Sequence, residues 1–243
     1  MTKTNIPNAR REDNLMHILS TLDISLPPLG LGRTKDNDER FAVCMLLSTL
    51  AKAKELTFPL QLTHHDKPDF QLTSGAETVG IEVTYARNQN QAHFKALMNR
   101  SDQQKVYSTN VFSPDRPLSN DETKELLTHE VTGFPLMGDK PYKNWAKYVS
   151  RSVREKSNDF NKLEFRKFSK NYLYLVVETP DRICIDDINK AIGFLDEVWP
   201  DQIVFDCVYI QHFDCIIKIT PRLQNKLATF YVANDIWGFF GQP

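Results

Sequence analysis

Little in this chain advertises its chemistry. No run approaches the roughly 18 apolar residues of a membrane-spanning helix. Met1 to Asp13 is polar throughout, so no secretory leader is expected either. Cysteine is scarce. Cys44, Cys184, Cys207 and Cys215 are scattered without zinc-type spacing and read as reduced core residues of a cytoplasmic protein. There is no Gly-x-Ser-x-Gly elbow, Walker phosphate loop, dinucleotide fingerprint or His-Glu-x-x-His pair, which removes most enzymes built on those devices. Charge of one sign is lacking as well. With 30 basic and 31 acidic residues the formal net charge is −1, which weighs modestly against a nucleic-acid binder until the distribution of charge is considered. No internal repeat or low-complexity tract is evident.

What remains is the pattern of a soluble globular protein. At 243 residues, 25% charged and 41% hydrophobic with 15 Phe, the chain can bury a sizeable core. Its most informative stretch is Lys67-Pro68-Asp69-Phe70-Gln71-Leu72, followed by Val79-Gly80-Ile81-Glu82-Val83-Thr84. Each half alternates apolar and polar residues, and Ser74-Gly75 lies between them, which predicts a hairpin turning at Gly75-Ala76. In that register Asp69 and Glu82 are cross-strand neighbours on one face, with Cβ atoms roughly 5 Å apart. Two carboxylates so placed repel each other unless a divalent cation lies between them, which suggests Mg2+ or Mn2+.

On these residues the sequence resembles the PD-(D/E)XK nuclease superfamily, whose signature is an Asp on one hairpin strand, then an acidic residue and a Lys two positions apart on the next. Pro68-Asp69 fits the first part and Glu82 the second, whereas Thr84 stands where the Lys is expected. Some branches carry Glu-Val-Thr at this point and supply the Lys from a following helix. A helix is expected from Trp145 onward, with Trp145, Val149, Val153, Phe160 and Leu163 on one stripe. Lys156, three after Val153 and four before Phe160, belongs to that stripe and is the candidate migrated Lys. Lys162 is rotated away by about 120° and reads as solvated or phosphate-facing. The matched parts, 38–84 and 145–220, cover about half of the chain.

The resemblance implies a restriction-endonuclease-like α/β fold, with a mixed sheet flanked by helices. It also implies metal-assisted phosphodiester hydrolysis. Asp69, Glu82 and the carbonyl of Val83 would hold the metal and Lys156 would orient the attacking water. Thr84 could hydrogen-bond water or phosphate without supplying charge. An upstream helix over 38–56 is expected, with Asp36 or Asp38 near its N-terminus and Glu39 on the inward face of its first turn. Many superfamily members place a metal-fixing acid on that helix; the simpler reading is that Glu39 favours the helix dipole. His64-His65 lies within reach of the same site, although histidines at a strand end are more often surface polar residues.

Between 140 and 170, ten Lys or Arg stand against three acidic residues. Lys147, Arg151 and Arg154, with Lys162, are candidates to line a phosphate-binding groove; a solvated helix face is the plainer alternative. Residues 1–35 read as an N-terminal arm or appended helix and 36–225 as the core domain. The stretch 86–144 reads as an insertion with helices near Asn90–Asn99 and Asn120–His129, the latter begun by a Ser119/Glu122 capping box. Strands are expected over 171–177, Gln202–Ile210 and Cys215–Thr220, with a helix over Ile185–Val198. Residues 226–243 read as an aromatic tail that packs on the core or forms a homodimer contact. A DNA endonuclease in host defence or a mobile element is the expected role. A catalytically silent nucleic-acid-binding module and a protein-interaction module remain open beside it.

Overall fold

A computed structural model of the protein describes residues 4–101, 111–112, 115, 118–128, 138–162, 164–178, 187–221, 226–233 and 236. The elements run in the order β1 (Ile6–Ala9), α1 (Glu12–Ser20), α2 (Lys35–Lys52), β2 (Leu60–His64), β3 (Phe70–Ser74), β4 (Glu77–Arg87), α3 (Gln89–Ser101), α4 (Asn120–Glu125), α5 (Lys140–Phe160), β5 (Lys170–Glu178), α6 (Ile188–Val198), β6 (Cys207–His212), β7 (Cys215–Thr220) and β8 (Lys226–Tyr231). Among the described residues the strands form one mixed sheet of eight in sequence order. The β4–β5 and β5–β6 pairs are parallel and the others antiparallel. The protein is thus α/β, with a mixed sheet flanked by helices.

Strand alternation divides the interior in two. On one face Phe70, Leu72, Val79, Ile81, Val83, Tyr174 and Val176 pack with Leu15 and Leu19 of α1 and with Val43, Leu46 and Leu47 of α2. On the other, Leu173, Leu175, Val177, Val208 and Ile210 pack with Trp145, Val149 and Val153 of α5 and Ile188 and Leu195 of α6. Both parallel crossovers run in the same direction along the sheet, and the right-handed rule for such connections puts α5 and α6 on one side. Burying both faces of β5 is what makes Leu173-Tyr174-Leu175-Val176-Val177 a continuous apolar run.

The hairpin keeps the expected register. Phe70 opposes Ile81 and Ser74 opposes Glu77, and Gly75 takes a φ of +60° at the turn. The His65 N–H donates to the Asp69 carbonyl at 2.7 Å, so the β2–β3 ladder continues to the residue just before β3.

Several boundaries differ from expectation. The upstream helix begins at Lys35 rather than 38, because Thr34 caps it. It ends at Lys52 rather than 56. The basic helix starts at Lys140, with Pro141 in its first turn, and ends at Phe160. Lys162 therefore lies beyond the helix, and Leu163 falls outside the described residues. β6 begins at Cys207, five residues after the expected Gln202, because 202–205 form no ladder. Ser119 and Glu122 do form a capping box on α4, which ends at Glu125, while His129 is outside the described residues. The α6 helix starts at Ile188, with 181–186 likewise outside.

Three short strands that sequence patterning did not predict, β1, β2 and β8, complete the sheet. β1 lies within the expected arm and β8 within the expected tail, whose Trp237 to Phe240 are outside the described residues. Cys44, Cys207 and Cys215 are buried and unpaired. No helix among the described residues is long and apolar enough to cross a membrane.

Candidate active site

The site is assembled where the start of α2 meets the open end of the β3–β4 hairpin. The Thr34 hydroxyl accepts from the Asn37 N–H at 3.3 Å, while Asn37 Oδ1 accepts from the Thr34 N–H at 2.9 Å. Asp36 and Asp38 in the first turn suit the positive end of the helix. A charged clamp then fixes the direction of α2. Asp38 accepts from Arg33 Nε at 2.6 Å and from Arg87 Nη1 at 3.0 Å, and both guanidiniums also pair with Glu178. The Tyr85 hydroxyl donates to the Asp38 carbonyl at 2.9 Å, with Arg87 stacked 4.0 Å over its ring. The start of α2 is thereby tied to the ends of β4 and β5.

With α2 so held, its first turn faces the carboxylates. Asp69 is 1% exposed; its Oδ2 accepts from the Val83 N–H at 2.8 Å and its Oδ1 from Lys35 Nζ at 2.9 Å. The same ammonium lies 2.7 Å from Glu39 Oε1. Glu39 Oε2 is 2.9 Å from His64 Nε2, and the His64 ring stacks on Phe70 with centroids 4.8 Å apart. Glu82 is buried too. Its Oε1 accepts from Lys156 Nζ at 2.7 Å, whereas its Oε2 has no hydrogen-bond partner among the described residues.

Electrostatics record the crowding. Burial, and then the charge of Asp69, push the Glu39 carboxyl up to about 7, against the pull of Lys35. Glu82 is raised for the same two reasons, opposed by Lys156 and Lys35. The Lys35 ammonium is held above its ordinary range: burial pulls it down, but its contacts with Glu39 and Asp69 outweigh that. Carboxylates driven upward by one another are a common mark of a functional site.

Asp69, Glu82, Lys156 and Glu39 thus come together, with Val83 and Thr84 on β4 beside them. Val83 points with Ile81 into the α2 core, and Thr84 shares the opposite, α5-facing side of the strand with Glu82. One ligand atom each from Asp36, Glu39 and His64 also lies within 4.8 Å of the others, a set able to hold a metal ion. Three of the expected groove residues have carboxylate partners of their own. Lys147 pairs with Asp115 at 2.7 Å, Arg151 with Glu155 at 2.8 Å and Lys162 with Asp159 at 2.6 Å; Arg154 is exposed on α5.

Sequence patterning missed Lys35, which precedes the expected helix start, and placed Asp36 only as an acid near the helix N-terminus. The available signal was Thr34 with Asn37, a capping pair in which Asn takes the place usually given to Glu or Gln. No protein-family model, curated protein or solved structure matches the chain.

Proposed function

We propose that the chain is a metal-dependent nuclease of the PD-(D/E)XK type, built on a restriction-endonuclease-like core and hydrolysing phosphodiester bonds. DNA is the expected substrate, and defence or a mobile element the expected setting. One observation carries the reading: two buried carboxylates, Asp69 and Glu82, lie near enough for one charge to perturb the other, with the Lys156 ammonium 2.7 Å from Glu82 Oε1.

The donors fit a hard divalent cation such as Mg2+ or Mn2+. They are oxygens, and the buried, unpaired Glu82 Oε2 is the kind of atom an ion or its water satisfies. Asp69, Glu82 and the Val83 carbonyl would hold the ion, with Glu39 adjoining. Bound there, it supplies Lewis acidity toward a phosphate oxygen and lowers the pKa of an attacking water.

The residues of the chain do the rest. The Val83 N–H fixes the Asp69 carboxylate, so that its orientation does not have to be selected during turnover. Lys156, held on the core stripe of α5, orients water and offsets negative charge that develops on the phosphate. Thr84 offers a hydroxyl on the Glu82 side of β4. Lys147, Arg151, Arg154 and Lys162 would meet the nucleic-acid backbone, the three paired ones by exchanging surface carboxylates for phosphates, an exchange of weak partners for charge-dense ones.

A second reading has one observation in its favour: Lys35 and Lys156 already neutralise Asp69 and Glu82. A catalytically silent nucleic-acid-binding or protein-interaction module would look the same. Cleavage of plasmid, single-stranded DNA and RNA with Mg2+, Mn2+ or EDTA separates the two. Metal-dependent cleavage that vanishes in Glu82→Ala is the expected result. Cleavage that persists in Glu82→Ala removes the site assignment, and none on any substrate favours the silent module.

A further inference from the structure

We propose that Lys35 is a resident counter-ion of the carboxylate cluster, which a divalent cation must displace in order to bind, so that this side chain sets the metal affinity of the site. The inference rests on the metal-site reading above and adds a competitor to it.

The geometry makes the two cations mutually exclusive. Lys35 Nζ lies 2.7 Å from Glu39 Oε1 and 2.9 Å from Asp69 Oδ1, between two carboxylates of separate elements. Asp69 Oδ2 is taken by the Val83 N–H, so a Mg2+ ion held by Asp69 would use Oδ1 at about 2.1 Å, the oxygen on which the Lys35 ammonium sits. The lysine is also built to leave. Its side chain is 69% exposed while its two partners are almost wholly buried, so it reaches in from solvent and can withdraw without disturbing the core. Lys156 differs, being only 24% exposed on the packed stripe of α5.

Helix formation does not account for Lys35. It is the first residue of α2, where a positive charge opposes the helix dipole. Its reward is the contact with Asp69 and Glu39. Charge balance favours the exchange as well. With Asp69, Glu39 and Glu82 ionised, Lys35 and Lys156 leave one negative charge over, and replacing Lys35 by a divalent ion brings the cluster to neutrality.

Two measurements test this on the full chain. Mn2+ titrated by calorimetry should bind Lys35→Met about fivefold to tenfold tighter than wild type, the loss of a competing ion pair of modest strength. Reductive methylation of wild type, read by peptide mass spectrometry, should find Lys35 slow to react without metal and faster at saturating Mn2+. The second readout does not depend on the variant folding, and a purely long-range charge effect would not move it. Mn2+ binding with unchanged Lys35 labelling, or equal affinity in both proteins, overturns the proposal and leaves the metal site standing. Absence of Mn2+ binding to folded wild type and folded Lys35→Met overturns both.

Discussion

Without metal, the carboxylate cluster should make this protein less stable as pH rises. Glu39 carries the argument, since burial and Asp69 lift its carboxyl from an ordinary 4.5 to about 7 in the folded state. Below pH 4.5 the group holds its proton in both states. Between 4.5 and 7 the unfolded chain has released the proton while the folded chain keeps it, so folding takes up a proton and becomes less favourable with each step upward. A displacement from 4.5 to about 7 is worth about 3 kcal/mol, complete above pH 7 and absent below 4.5. Glu82, raised for the same reasons, adds in the same direction. Urea unfolding in EDTA at pH 5, 6, 7 and 8 would show the fall. The difference between wild type and Glu39→Gln isolates the group from everything else that titrates in this range. Saturating Mn2+ should reverse the trend, because an ion at the proposed site would favour the ionised carboxylates. Stability that is flat or rising from pH 5 to 7 in EDTA, with Glu39→Gln no different, would refute the reasoning.

Other expectations concern the frame and the chemistry. Lys156→Met should keep Mn2+ binding by calorimetry yet lower plasmid cleavage about 10²–10³-fold, the scale of losing one well-placed charge-stabilising donor; full turnover would remove Lys156 from the reaction. Arg87→Met should cost about 2–3 kcal/mol in urea unfolding, because it strips a partner from both Asp38 and Glu178 in a half-buried clamp. Gly80→Ala would set a Cβ 2.8 Å from the Phe168 ring and 2.9 Å from Pro68 Cγ. It should destabilise the fold by about 1–3 kcal/mol and reduce Mn2+ affinity by shifting the segment that carries Asp69.

The hairpin and the α5 stripe were legible because each rests on local periodicity. Asp69 against Glu82 follows from a two-residue turn, and Lys156 from its spacing between Val153 and Phe160. The start of α2 was not legible, since a capping pair using Asn resembles any polar turn. Losing three residues there hid Lys35, which contacts two of the carboxylates, and left Asp36 as no more than a helix-end acid. β1 was missed because four residues that include a proline show little alternation and pair far along the chain with β2. β8 pairs with the adjacent β7 but lay in a stretch read as a tail, and β2 alternates much as β3 does and was overlooked. The basic run was read as a groove from its charge and from Lys156 on the same helix. Its partners Asp115, Glu155 and Asp159 include one 32 residues away from its lysine, which periodicity does not reveal.

The division of the interior into two cores has a mechanical consequence. Glu39 and Lys35 belong to the helix that closes one core and Lys156 to the helix that closes the other, with the sheet running between them. Asp69 and Glu82 are where the two halves touch through charge rather than through packing. An ion seated there would act as a rivet through the sheet, and its hold would depend on how firmly each half is built. Slack introduced far away, under α2 or under α5, would then be felt as a weaker grip on the ion, making metal affinity a property of the whole sandwich rather than of the few side chains that touch the metal.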